Sequence, residues 1–247
     1  MQVSTFGCIM STPQFSYLGK STTTIRLQPT REVDAVAAAN KLKSFPPCKS
    51  PEDVERAARQ AAGGFVVSED VVLAHSGLQF GQYRGQSFLW VLENAAGYAV
   101  GLVDSVEGEP SQSKVTPLGV NKSKFCLYAM RFPEVRDALE MRRLTTAAEA
   151  RYVATGDEGE HLVGFGQYAR QSWKSVFEAS DKELRSFVDF VINKKDVADG
   201  SKMRRFQEYC TRRRQEAQQL TAAKRPSPTL TSWQQWKTWR QTRTCWQ

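Results

Sequence analysis

Histidine is scarce in this chain: its 247 residues hold two, His75 and His161. Each lies just before a repeated phrase rather than beside a cysteine at metal-ligand spacing, so the expectation is two structural histidines and no metal site. The five cysteines, Cys8, Cys48, Cys126, Cys210 and Cys245, are an odd number, widely scattered and without a CxxC pair. That excludes a zinc knuckle or dithiol redox couple and leaves reduced, mostly structural thiols. No apolar run approaches about 18 residues. The start, MQVSTFGCIMSTPQF, has neither a basic leader nor a long apolar stretch. Neither a membrane span nor a secretory signal is expected, and the chain reads as intracellular, in nucleus or cytoplasm. Segments of the GxSxG, HExxH, GxGxxG and DxE types are missing, so no nucleophile or general base can be named, and neither catalysis nor a cofactor is expected. LGKST, Leu18 to Thr22, ends like a phosphate-binding loop, but Gln14 stands where its first glycine belongs and no apolar strand precedes it. Asp157, Glu158, Glu160 and His161 form an acidic turn without the ligand spacing of a calcium loop.

The charge is positive but uneven. The net charge is +8, yet from Ser201 onward 11 Lys and Arg face 2 Asp and Glu, whereas residues 1 to 200 carry 23 against 24. Attraction to phosphates is therefore expected in the C-terminal segment, weakening steeply with salt. MRRFQEYCTRRRQEAQQ, Met203 to Gln219, places Met203, Phe206 and Cys210 at helical spacing and gathers Arg204, Arg205, Arg212, Arg213 and Arg214. Its apolar side closes the second unit; its cationic side is either a solvated face or a phosphate-binding or nuclear-import patch. SWQQWKTWRQTRTCWQ then sets Trp233, Trp236 and Trp239 three apart, with Lys237 and Arg240 following. Such a tail suits base stacking, a membrane surface or docking on the body equally.

Along the chain, residues 1–30 are rich in Ser, Thr and Gln without periodicity and are expected to be a poorly ordered arm. Residues 31–64 read as two helices, the first alanine-rich and broken by Phe45-Pro46-Pro47, the second started by Ser50 and Pro51. GFVVSEDVVLAH reads as a β-hairpin, Phe65–Val67 and Val71–Ala74 around Ser68-Glu69-Asp70.

Directly after it comes FGQYRGQSF, Phe80 to Phe88, and the chain later writes FGQYARQSW, Phe165 to Trp173. Residues 80–106 and 165–191 agree without a gap at 11 of 27 positions, where composition alone gives about one or two. Phe88, Val91, Leu92 and Ala95 recur at helical spacing and are answered by Trp173, Val176, Phe177 and Ser180. A second stripe, Ala99, Leu102, Val103 and Val106, is answered by Leu184, Phe187, Val188 and Val191. Ser87 and Ser172 stand where a hydroxyl caps the first helix. RYVATGDEGEHLVGF, Arg151 to Phe165, reads as a second hairpin, and Phe125 with Tyr128 is echoed by Phe206 with Tyr209. The fold class expected is therefore α+β: a hairpin, a glycine turn and short helices, used twice. Repeat unit 1 is placed at 65–130, a linking helix at 131–147, unit 2 at 148–210 and a basic, Trp-rich tail at 211–247.

Phe80-Gly81-Gln82-Tyr83-Arg84-Gly85-Gln86-Ser87-Phe88, with Val91-Leu92 and the Gly97-Tyr98 pair, resembles the small module at the C-terminus of exodeoxyribonuclease X-like exonucleases and in stand-alone proteins of unknown role. That family's usual phrase is aromatic or apolar, then Gly-Lys-Tyr/His-Lys-Gly-x-Thr/Ser-apolar; Gln82 departs from it. The likeness covers about a fifth of the chain, counting both copies. In those exonucleases catalysis belongs to a separate fold with carboxylates on two metals, and nothing here matches that part. The resemblance thus implies a non-catalytic companion of nucleic-acid processing.

Gly85 of the first copy becomes Arg170 in the second, so the second turn is expected to differ in shape. Two readings stand for the first: Tyr83, Arg84 and Gly85 offer a ring, a guanidinium and open amides to a sugar-phosphate or partner loop, or Tyr83 simply packs on the next helix. The leading expectation is a non-catalytic tandem module that binds DNA or RNA, from a mobile element or accessory to nucleic-acid processing. Candidate contacts are Tyr83, Arg84 and Gly85 together with Arg204, Arg205, Arg212, Arg213 and Arg214. The rival is a protein-interaction scaffold, and the weaker third a degenerate nuclease.

Overall fold

The structure, a computed structural model, describes residues 12–18, 24–63 and 67–223. It holds ten α-helices among the described residues: α1 (Arg31–Lys41), α2 (Pro51–Ala61), α3 (Glu69–His75), α4 (Phe88–Asn94), α5 (Ala96–Glu107), α6 (Pro117–Ala129), α7 (Pro133–Thr155), α8 (Trp173–Phe177), α9 (Lys182–Asn193) and α10 (Lys202–Ala223). No strand forms among these residues; extended pairing is confined to single bridges, Tyr17 with Ile25, Gly77 with Ser87 and Leu162 with Ser172. The fold is helical, which corrects the expected α+β class and both hairpins.

The physical reason lies in helix capping. Ser68 is not a turn residue but the N-cap of α3: its hydroxyl accepts the Val71 amide, and Glu69 and Asp70 sit at the positive end of the helix dipole. Val72, Leu73 and Ala74 are then buried in succession, a contiguous apolar run that fits a short buried helix as well as a strand. Of the hairpin's first half, Phe65–Val67, residues 65 and 66 lie outside the described residues. In the second hairpin, Arg151–Thr155 is the end of α7, which extends the expected linking helix well past residue 147. Asp157 then caps a 3₁₀ turn at Glu158–Glu160 by accepting the Gly159 amide at 2.8 Å.

The chain divides into two compact units, residues 1–143 and 144–247, with the division inside α7. The first core joins Leu73, Leu78, Tyr83, Phe88, Val91, Leu92, Val100, Val103, Phe125 and Tyr128. Phe88 is fully buried and meets Phe125 edge-on at 5.2 Å. The second core is smaller, with Val163, Trp173, Val176, Val188, Val191, Phe206, Tyr209 and Cys210. Here Trp173 takes the place of Phe88, 6.1 Å from Phe206 and 5.3 Å from Tyr209. Because Phe206, Tyr209 and Cys210 are buried, the start of α10 is an integral part of its unit and not a tail. Cys48, Cys126 and Cys210 are free thiols; Cys8, Cys245 and the tryptophans 233, 236 and 239 lie outside the described residues, as does most of LGKST.

Candidate functional site

The repeated phrase builds the same loop in both units. In the first, Leu78 donates its amide to the Gln86 carbonyl (2.8 Å), Gln86 to Tyr83 (3.1 Å), Arg84 to Gly81 (3.2 Å) and Phe88 to Ser76 (2.9 Å). Shifted by the 85 residues that separate the phrases, the pattern recurs: Val163 to Gln171 (2.9 Å), Gln171 to Tyr168 (3.0 Å), Ala169 to Gly166 (3.2 Å) and Trp173 to His161 (2.8 Å). Each loop then feeds a helix capped by its serine: Ser87 accepts from Trp90 at 3.1 Å and Ser172 from Ser175 at 3.2 Å. A loop closed by backbone bonds onto the residues just before the phrase, and followed by a serine cap, recurs with the phrase, so its backbone shape has largely local causes.

The loops differ where the sequence does. Gly85 has φ +91°, a conformation costly for any residue with a Cβ, and donates its amide to Leu78 at 2.8 Å. In the second copy the left-handed residue moves to Gly164, φ +70°, whose amide bonds Ala169 at 3.0 Å. Arg170 is thereby relieved of positive φ, since Asp196 alone adopts it among the described non-glycine residues.

Their surroundings differ more. The first loop is held by side chains from three other segments. The Asn40 amide at the end of α1 donates to the Gln82 and Arg84 carbonyls at 3.0 and 3.1 Å. From α6, buried Asn121 accepts the Gln79 amide at 2.9 Å and donates to the Gly77 carbonyl at 3.0 Å. The Arg84 guanidinium donates to the Pro46 carbonyl and lies 4.9 Å from the centre of the Phe45 ring. At the base of the second loop it is Lys202 that reaches the backbone, with Nζ 3.4 Å from the Gly164 carbonyl.

Tyr83 is only 1% exposed, packed edge-on against Tyr98 at 4.9 Å and tilted against Trp90 at 5.7 Å. Burial, with Asp34 acting second, pushes its hydroxyl pKa up. Its ring is part of the core, so no base reaches it in this conformation. Arg84 is half-buried and Gly85 exposed. They sit between two concave surfaces. A groove of about 490 Å³ is lined by Asn40, Lys41, Phe45, Cys48, Phe80 and Gln82 among others. A second, of about 360 Å³, includes Lys49, His75, Leu78 and Gly85, and Arg84 borders both. Neither groove is lined by a carboxylate.

The arginines of α10 have a different environment. Arg204 reaches Asp199 at 3.3 Å and the Val197 carbonyl at 3.0 Å. Arg212 pairs with Glu158, Arg213 with Glu178 at 3.5 Å and Glu216 at 3.3 Å, and Arg214 with Asp189 at 2.5 Å. Arg205 is exposed. Residues 144–223 carry 13 Lys and Arg against 12 Asp and Glu, so the helix that looks cationic in sequence is neutralised by its own unit. Most of the charge surplus lies instead in residues 224–247, outside the described residues, with five Lys and Arg and no acid.

The residues that the sequence reading missed are Asn40, Lys41, Phe45, Lys49 and Phe80. A signal existed: residues 35–51 contain Lys41, Lys43 and Lys49, Phe45 and no acidic residue. Among the described residues, no group of three or more His, Cys, Asp or Glu is placed to hold a metal, and no helix is long and apolar enough to cross a membrane. No family model matches the chain, and neither a curated protein nor a solved structure matches it.

Proposed function

We propose that the chain is a non-catalytic, nucleic-acid-associated module whose contact is made by the loop of the first unit rather than by the arginine-rich helix. One observation carries this reading: the two grooves beside Arg84 are lined by Lys41, Lys49 and Arg84 without a carboxylate, whereas four of the five α10 arginines already have one. A cation facing no internal anion contributes its field to a ligand, and a phosphate backbone is the ligand that rewards several such cations at once. The likeness of the loop phrase to the module accompanying exodeoxyribonuclease X-like exonucleases supports a place beside nucleic-acid-processing machinery.

The test is the affinity of the full chain for labelled DNA and RNA between 50 and 200 mM salt, values chosen because phosphate contacts respond steeply there, about 0.7–0.9 in log–log slope per neutralised phosphate. The Lys41→Ala/Lys49→Ala/Arg84→Ala variant should flatten that slope by about 2–3, and Arg212→Ala/Arg214→Ala should leave it unchanged. Truncation must fall after Ala223, since Phe206 and Tyr209 are core residues. Binding that follows α10 or the tail alone overturns the assignment. Equal binding to polyglutamate marks an acidic protein as the partner.

A further inference from the structure

Resting on that reading, we infer that the larger groove of the first unit takes one unstacked nucleotide of a single strand, its base laid against Phe45 and Phe80 and its phosphates against Lys41 and Arg84. The argument is from what these side chains can recognise. Both phenylalanines are half-buried and line the same concavity. Each carries a cation near its ring, Arg84 4.9 Å from the Phe45 centroid and Lys122, itself paired with Glu109, 5.8 Å from that of Phe80. A phenyl ring has no hydrogen-bond donor or acceptor, so beyond a thymine methyl it reads nothing of the base edges that a duplex displays in its grooves; its best contact is with a base face, and in a duplex a face is reached only by unstacking a step, whereas an unpaired nucleotide offers it freely. The volume agrees: about 490 Å³ falls within the roughly 300–1,000 Å³ of clefts that enclose one small organic ligand, and is far too small for a double helix.

Selectivity for the first unit follows from the same geometry. Asn40 and Lys41 end α1 and Phe45 lies in the segment joining α1 to α2, all ahead of the first loop; the chain before the second loop has α7 there instead. The Asn40 side chain fixes the carbonyls of Gln82 and Arg84, so the groove wall is preorganised and little ordering cost remains when a strand enters.

The experiment uses the full chain and three probes: a single strand of mixed sequence, the same strand as a duplex, and an abasic strand with the same number of phosphates. The single strand should bind about 5- to 150-fold more tightly than the abasic strand, the range that stacking on an aromatic ring supplies. Phe45→Leu/Phe80→Leu should erase that difference without changing the salt slope; leucine keeps the apolar packing, and an unchanged Tm verifies the fold. Photo-crosslinking of a 4-thiothymidine strand should map to peptides containing Phe45 or Phe80. Equal affinity for single strand, duplex and abasic strand, or crosslinks only in residues 224–247, overturns this inference while leaving nucleic-acid binding intact. No binding to any probe at low salt removes both.

Discussion

Gly81→Ala tests whether the loop is as closely fitted as its hydrogen bonds imply. Gly81 has φ +67°, and a Cβ built on it lies 2.1 Å from the Tyr98 hydroxyl oxygen and 3.3 Å from Cζ. The left-handed backbone costs a residue with a Cβ about 1–2 kcal/mol. Tyr98 must also swing away from Tyr83, whose ring it meets edge-on at 4.9 Å, forfeiting about 0.5–1.5 kcal/mol. The expected loss is therefore roughly 1.5–3.5 kcal/mol. Gly166→Ala supplies the control within the same molecule: its φ is +63° and nothing lies within 4 Å of the added Cβ, so only the strain of about 1–2 kcal/mol applies. A third variant isolates the clash. In a Tyr98→Phe background the atom at 2.1 Å is gone, and Gly81→Ala should recover about 0.5–1.5 kcal/mol relative to the same change beside tyrosine. Hydrogen exchange read by mass spectrometry follows peptides of α4 and α5 for the first unit and of α8 and α9 for the second, so each variant is measured in its own unit. Equal effects at Gly81 and Gly166, or no recovery with Tyr98→Phe, refute the close fit.

Burial pushes the Cys126 thiol up to about 11 and the Cys210 thiol to about 12, and raises the Tyr128 hydroxyl as well. Groups whose folded pKa is raised favour the protonated form, so their contribution to stability is complete below the unfolded thiol value of 9.0 and is lost as pH climbs from there toward 12. Urea midpoints should be flat to about pH 8.5 and fall above it; an early fall below pH 8 contradicts the burial of these groups. Iodoacetamide at neutral pH should label Cys48, which lines the larger groove, well before Cys126 or Cys210, as peptide mass spectrometry will show; equal rates would mean that the cores are open. Asn40→Ala leaves the Gln82 and Arg84 carbonyls without that donor and should cost about 1–3 kcal/mol, read as faster exchange at the loop amides while α8 and α9 stay protected. Phe88→Ala, emptying a fully buried ring site, should cost about 3–5 kcal/mol by thermal unfolding.

What could be read from the chain was governed by how local the cause is. The matched phrases, the stripes led by Phe88 and Trp173 and the serine caps at Ser87 and Ser172 are local, and the structure shows each of them. The false hairpins came from contiguous apolar residues: Val71-Val72-Leu73-Ala74 has no period, and Ser68-Glu69-Asp70 serves a turn or a helix start equally. Burial on the α3 side decided for the helix. The arginines of α10 misled for the opposite reason. Their partners Glu158, Glu178 and Asp189 are distant in sequence, and charge counted along a segment does not show that compensation. The acid-free stretch 35–51 was legible, but its meeting with the loop was not, since Asn40 reaches the loop across about forty residues of chain.

Asn121 has one more implication. Its amide meets a donor and an acceptor two residues apart on the same edge of the extended stretch Gly77–Gln79, the spacing at which a neighbouring strand would attach. The side chain thus impersonates a strand on the edge opposite the Ser87 bridge, so that edge offers no template for accretion by another chain. Replacing Asn121 with leucine would unmask that edge and favour self-association through it.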